Sequence, residues 1–312
     1  MKKLSIALGI LLPVAASAQN TGTYRGPVID VHLHAYTAAD FGEPRPNPAT
    51  GQMSVQTAEE HTKRTLEIMQ QYNVVLGIVS SESVQVVERW KAAAPDRILR
   101  GISMDDPAKS IAADELDRLL REKKLDVLGE VGAQYAGYSP SDPVFDPYWA
   151  VAEKHGVPVA IHTGGAPPGT PYTCCPKFRL RLGDPLLLED LLIKYPRLKV
   201  YAMHAGGFFP QNALMLMTMY PHVYVDIGAL SWTRVAGPLL APFLKEAKAR
   251  GLLDRVMFGS DQMRWPEALE IAINRVNGFD FLTLEEKQGI FYDNAAKFLG
   301  LDVQEIARHH GR

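Results

Sequence analysis

Eight short apolar runs, each parted from the next by a helix-patterned segment, limit this chain to a narrow set of folds. The runs lie at 28–34, 73–80, 97–103, 125–131, 157–162, 198–204, 223–227 and 255–260. Helical patterns fill 57–72, 84–94, 110–123, 146–155, 185–195, 209–220, 238–250 and 266–276, and a last one at 283–299 caps the series. Alternating strands and helices predict a parallel sheet, and eight such units predict a closed (β/α)8 TIM barrel. The run 157–162 is almost wholly apolar, as expected of a strand covered on both faces. Gly156 stands where a left-handed residue ends the helix 146–155. The 312 residues hold one barrel of the usual ~250 residues with insertions.

Hydrophobic residues make up 46% and charged residues 22%, an ordinary globular balance. The formal net charge of -2 gives no reason to expect a nucleic acid or a membrane surface as partner. A small molecule is the expected partner, with a homo-oligomer left open. The first eighteen residues have the form of a signal peptide. Lys2 and Lys3 supply the positive start, 4–14 is an apolar run too short to span a bilayer, and Ala16-Ser17-Ala18 suits cleavage. This predicts a periplasmic or secreted barrel domain over 19–312, free of the membrane once cleaved. Cys174 and Cys175 are the only cysteines and are adjacent. A vicinal disulfide, two free thiols and an intermolecular bridge are all open to them, and none of these frames the fold.

A barrel presents its chemistry at the carboxyl ends of its strands. Five runs end there in residues that bind metal or move protons: Asp30-Val31-His32-Leu33-His34, Gly129-Glu130, Ile161-His162-Thr163, Met203-His204-Ala205 and Gly259-Ser260-Asp261. His32 and His34 are two apart on a strand, so both face the interior. His162 and Asp261 complete a mixed nitrogen and oxygen set that suits Zn2+, with Mn2+, Fe2+ and Co2+ also compatible. His204 ends the sixth strand and Glu130 the fourth. Burying so many ionisable groups without an ion would be costly. The other five histidines (His61, His155, His222, His309 and His310) need no functional reading.

The ordered set His32-x-His34, His162, His204 and Asp261 resembles the amidohydrolase superfamily. Ile161-His162-Thr163-Gly164, Met203-His204-Ala205-Gly206-Gly207 and Asn294-Ala295-Ala296-Lys297-Phe298-Leu299-Gly300 resemble its amidohydrolase-related branch, over nearly the whole chain after residue 18. The branch holds hydrolases, lactonases and decarboxylases similar to aminocarboxymuconate-semialdehyde decarboxylase. The resemblance implies that His32, His34, His162 and Asp261 ligate one divalent ion, while His204 activates water or polarises substrate. Gly129-Glu130-Val131-Gly132 also resembles the strand-four segment of TatD-type metallohydrolases. One ion, with Glu130 hydrogen-bonded to a ligand histidine, is the preferred reading; two ions bridged by Glu130, the second held by His162 and His204, is the other.

The expected activity is hydrolysis of a C–O or C–N bond in a lactone, ester or amide by metal-bound water, with Asp261 as proton carrier. The alternative is non-oxidative decarboxylation of an unsaturated or aromatic acid. Around the rim, Arg179, Arg181 and Arg264 are candidates to clamp a carboxylate, and Trp232, Trp265 and Tyr135 to line a pocket. Asp226 could orient a histidine or cap the segment after it.

Overall fold

The computed structural model describes residues 21–311. The expected signal sequence lies outside them. Eight parallel strands pair in chain order: β1 Val28–His34, β2 Val74–Ser81, β3 Ile98–Met104, β4 Val127–Val131, β5 Pro158–Ile161, β6 Lys199–Ala202, β7 Tyr224–Asp226 and β8 Val256–Met257. The chain after β8 turns back to β1 through Val31 N to Phe258 O, 3.0 Å, and Asp261 N to His32 O, 2.8 Å. This is the predicted TIM barrel.

Two apolar layers hold it together. Ile29, Val31, Ile78, Val127, Ala160, Tyr201 and Met257 fill the barrel interior. A larger layer packs the outer strand faces against the helices, with Leu33, Val79, Ile102, Val200 and Val225 meeting Trp90, Leu116, Trp149 and Phe243. Each such side chain contributes about 1.5–3 kcal/mol on burial. Phe298 packs on Tyr224, the first residue of β7. The helix Asn294–Leu299 therefore closes the end of the barrel opposite the strand tips.

Local signals place the helices. Thr57 accepts from Glu60 N at the start of Ala58–Gln71, and Thr283 forms a capping box with Glu286 before Leu284–Gln288. Gly156 takes φ 63 and ends Asp146–His155, as expected. Two features differ from the sequence reading, and a third settles one of its open choices. The 283–299 helix contains a π turn at Gly289–Asp293. A further helix, Val303–His309, follows, and its His309 Nδ1 lies 2.9 Å from Tyr292 Oη. The loop after β5 carries the short helix Thr170–Thr173 and the vicinal disulfide Cys174–Cys175.

Candidate metal centre

His32, His34, Glu130, His162, His204 and Asp261 come together at the carboxyl ends of the strands. β1 ends in His32 and His34, which share a face, while Leu33 between them packs outward. Glu130 lies within β4, and His162 follows β5. His204 and Asp261 lie just past the sheet, with φ 60 and φ 54. Ala205, Ala229 and Met263 on the same face also have positive φ. Left-handed non-glycine residues are costly and gather where a site dictates backbone shape. The backbone must also clear His32: a Cβ on Gly228 would come within 2.5 Å of its Nδ1, and one on Gly259 within 2.8 Å of its Cβ.

Three histidines are turned by a partner on the outer nitrogen. His32 Nδ1 is 3.1 Å from Asp226 Oδ2, His204 Nδ1 is 3.0 Å from the Gly228 carbonyl, and His162 Nε2 is 2.9 Å from the Gly165 carbonyl. Carbonyls and carboxylates accept, so these outer nitrogens carry protons. The inner nitrogens, Nε2 of His32 and His204 and Nδ1 of His162, turn toward Glu130. An acceptor fixing the tautomer behind each imidazole is the usual support for a metal ligand.

Glu130 stands between two groups. Its Oε2 is 3.3 Å from His34 Nε2 and 3.6 Å from His32 Nε2. Its Oε1 is 2.5 Å from His162 Nδ1 and 3.5 Å from His204 Nε2. Asp261 Oδ1 is 3.0 Å from His34 Nε2 and 3.5 Å from His32 Nε2. Among the described residues, His32–His34–Asp261 and His32–Glu130–His204 each bring their ligand atoms within 4.8 Å of one another. His162 lies beside His204 and Glu130, its Nδ1 3.1 Å from His204 Nε2. One observation tests the fit to a metal. His32 Nε2 is buried, aimed at two carboxylates, and has no hydrogen-bond partner. A divalent ion satisfies such an atom.

The electrostatics agree. Burial alone would lower His32, yet the carboxylates of Asp226 and then Asp261 hold it well above its ordinary value. Burial would raise Glu130, but the charge and hydrogen bond of His162 outweigh it and hold the carboxyl well below the usual range. Asp226 is likewise lowered against its burial, chiefly by His32. It both orients His32 and caps the next segment, accepting from His204 N at 3.0 Å and Gly228 N at 2.7 Å.

Two supports had no role in the sequence reading. Asp30 is fully buried; its Oδ1 accepts from His32 N and Ser260 N, and burial pushes its carboxyl up to about 7. Gln262 clasps the His34 backbone, accepting from its N–H and donating to its carbonyl, both at 2.9 Å. Their adjacency to His32 and Asp261 was the only signal for them. Around the rim, Arg264 donates to Phe41 O and Arg179 to Pro176 O and Phe178 O. Trp232 Nε1 supports Ser260 O and Trp265 Nε1 holds Arg45 O, so both indoles brace backbone. The Tyr135 ring lies 5.1 Å from that of His162. His61 is packed between Phe41 and Trp90, and burial lowers it to about 4, consistent with a structural role.

A model of the amidohydrolase family matches residues 29–301, and the chain belongs to that family. No curated protein matches it. Several solved structures share its fold at low identity. An uncharacterized TIM-barrel protein from Bordetella bronchiseptica is 18% identical with a TM-score of 0.65, the match covering 92% of this chain and 100% of that one. A probable 2-pyrone-4,6-dicarboxylic acid hydrolase from Acinetobacter baumannii is 16% identical with a TM-score of 0.60, covering 88% and 99%. A manganese complex of 5-carboxyvanillate decarboxylase from Novosphingobium aromaticivorans is 16% identical with a TM-score of 0.58, covering 92% and 100%.

Proposed function

We propose that this chain is a metal-dependent hydrolase that cleaves a C–O or C–N bond in a small lactone, ester or amide. The observation that carries this reading is the convergence of the inner nitrogens of His32, His162 and His204 on Glu130, with His34 and Asp261 beside them. A divalent ion held there polarises a carbonyl and lowers the pKa of water from 15.7 to roughly 7. His32, His34, Asp261 and one oxygen of Glu130 hold it, with Zn2+ favoured by the imidazole-rich set and Mn2+ also suited. Glu130 Oε1, with His162 Nδ1 and His204 Nε2, offers a place for a second ion.

Asp261 is the proton carrier. Its Oδ1 faces the imidazoles, and Oδ2 accepts the proton of the attacking water and returns it to the leaving oxygen or nitrogen. With a single ion, His204 stays free to take a second proton, which the Glu130 carboxylate favours against burial, and its Nε2–H then donates to the charge developing on the carbonyl oxygen. Export to the periplasm rests on residues 1–18 alone. Among the described residues, no helix is long and apolar enough to cross a membrane.

A second reading, decarboxylation of a small unsaturated or aromatic acid, draws on the same donor set and on the activity named for several structural neighbours. Hydrolysis is preferred because the export signal expected at residues 1–18 sets the chain apart from the cytoplasmic breakdown of such acids. The test is a screen of lactones, esters, amides and carboxylic acids with the purified metal-loaded chain in 18O-labelled water. Label in the product acid supports hydrolysis; CO2 release without label overturns it.

A further inference from the structure

Beside the metal cluster lies a cavity of about 600 Å3, within the ~300–1,000 Å3 of small-molecule sites. It is walled by the loops that follow β2, β3, β4 and β5. Tyr135 joins it to the cluster, lining the cavity while its ring packs on His162. Asp105, on another wall, is close enough to feel the charge of Glu130.

We infer that this cavity is the subsite for the non-reacting part of the substrate, and that it takes an uncharged, hydroxylated ring. The inference deepens the hydrolase reading and rests on it for the word substrate. Three features of the lining support it. Its charged groups are mixed, with Glu82 and Asp106 against Lys109 and Lys177. An anion would meet the carboxylates and a cation the lysines, whereas hydroxyls both donate to carboxylates and accept from ammonium groups. Second, Lys109, Lys177 and Glu82 make no side-chain hydrogen bond or ion pair among the described residues, so their polar ends are free for a ligand. Third, one wall is apolar and set by the fold. Cys174 and Cys175 close a disulfide that joins Pro176 and the Tyr135 ring around the cavity. Polar groups on one side and an apolar wall on the other suit a ring with hydroxyls at its edge and C–H groups on its face.

Three probes with one six-membered carbon ring separate the possibilities: myo-inositol, cyclohexanecarboxylate and cyclohexylamine. None has a bond for the proposed hydrolase to cleave, so binding is read by calorimetry and ligand-observed NMR without turnover. Failure of the subsite therefore leaves the hydrolase reading standing, and failure of hydrolysis leaves the binding result intact. The expected result is tightest binding of myo-inositol, weakened fivefold or more in Lys109→Met and in Asp106→Asn, with metal content unchanged. If Asp106→Asn fails to fold, Lys177→Met carries the same expectation. Tighter binding of the carboxylate or the amine, no binding of any probe, or myo-inositol affinity that these variants leave unchanged would overturn the inference.

Discussion

Asp226 holds His32 from behind: its Oδ2 lies 3.1 Å from His32 Nδ1, while its Oδ1 accepts the backbone N–H groups of His204 and Gly228. One buried carboxylate on β7 thus sets the tautomer of a β1 histidine and the path of the chain after β6. An asparagine can keep the two backbone bonds but can donate to Nδ1, which moves the imidazole proton to Nε2, the inward atom. Asp226→Asn should therefore keep the fold and lose metal affinity by about 10–100-fold. Chelator competition checks this, with circular dichroism as the control. Unchanged affinity would show that the pair does not set the tautomer.

Asp261 is assigned two duties that one substitution separates. Asp261→Asn retains an oxygen toward His34 Nε2, so most of the metal should stay. It loses the proton acceptor, so turnover should fall by about 10²–10⁴, the range of general acid–base catalysis. Elemental analysis and rate measurement on one preparation decide; full activity would remove the proton-carrier role.

Asp105 makes stability depend on pH. Burial first, then the charges of Glu130 and Glu82, push its carboxyl up from 3.8 to about 7. The folded state thus binds this proton more tightly than the unfolded chain does. Its contribution is full below about pH 4 and is lost as pH rises to about 7. Urea denaturation at pH 5 and pH 7.5 should show a smaller loss of stability in Asp105→Asn than in the wild type. Equal losses would contradict the shift.

Lys287 is fully buried, yet its Nζ donates to the carbonyls of Thr21, Gly22 and Asn277 at 2.8–3.0 Å. It ties the start of the described chain to the last helices. Lys287→Met strands three carbonyls and should cost about 2–4 kcal/mol, since hydrogen bonds to charged groups contribute ~1.5–3 kcal/mol each and the site can partly rehydrate. Thermal unfolding should shift down by several degrees with metal content unchanged. No shift would show that water replaces the ammonium without cost.

The barrel was legible in the sequence because buried parallel strands are apolar on both faces, a pattern 157–162 carries plainly, and because eight such runs alternate with helical segments. The six cluster residues were legible because each ends a strand in a residue type that binds metal or moves protons. What they contact was not. Glu130 could be a partner of one histidine or a bridge, and only the folded positions show its two oxygens facing different imidazoles. β6 and β8 end at Ala202 and Met257, short of their apolar runs, and the chain turns through positive φ beyond them, at His204 and Asp261. Gln262 and Lys287 were missed because their partners are backbone groups distant in sequence, His34 for Gln262 and Thr21 and Gly22 for Lys287, and no residue pattern encodes them.

Metal content tests the central claim most directly. The chain as purified, dialysed against metal-free buffer and measured by elemental analysis, should retain one or two equivalents of a divalent transition metal per subunit. His32→Ala, folded by circular dichroism, should retain far less and lose hydrolysis with it. A wild-type chain that keeps no metal after incubation with Zn2+ or Mn2+, or a His32→Ala chain that keeps the full complement, would contradict a metal centre built on these residues.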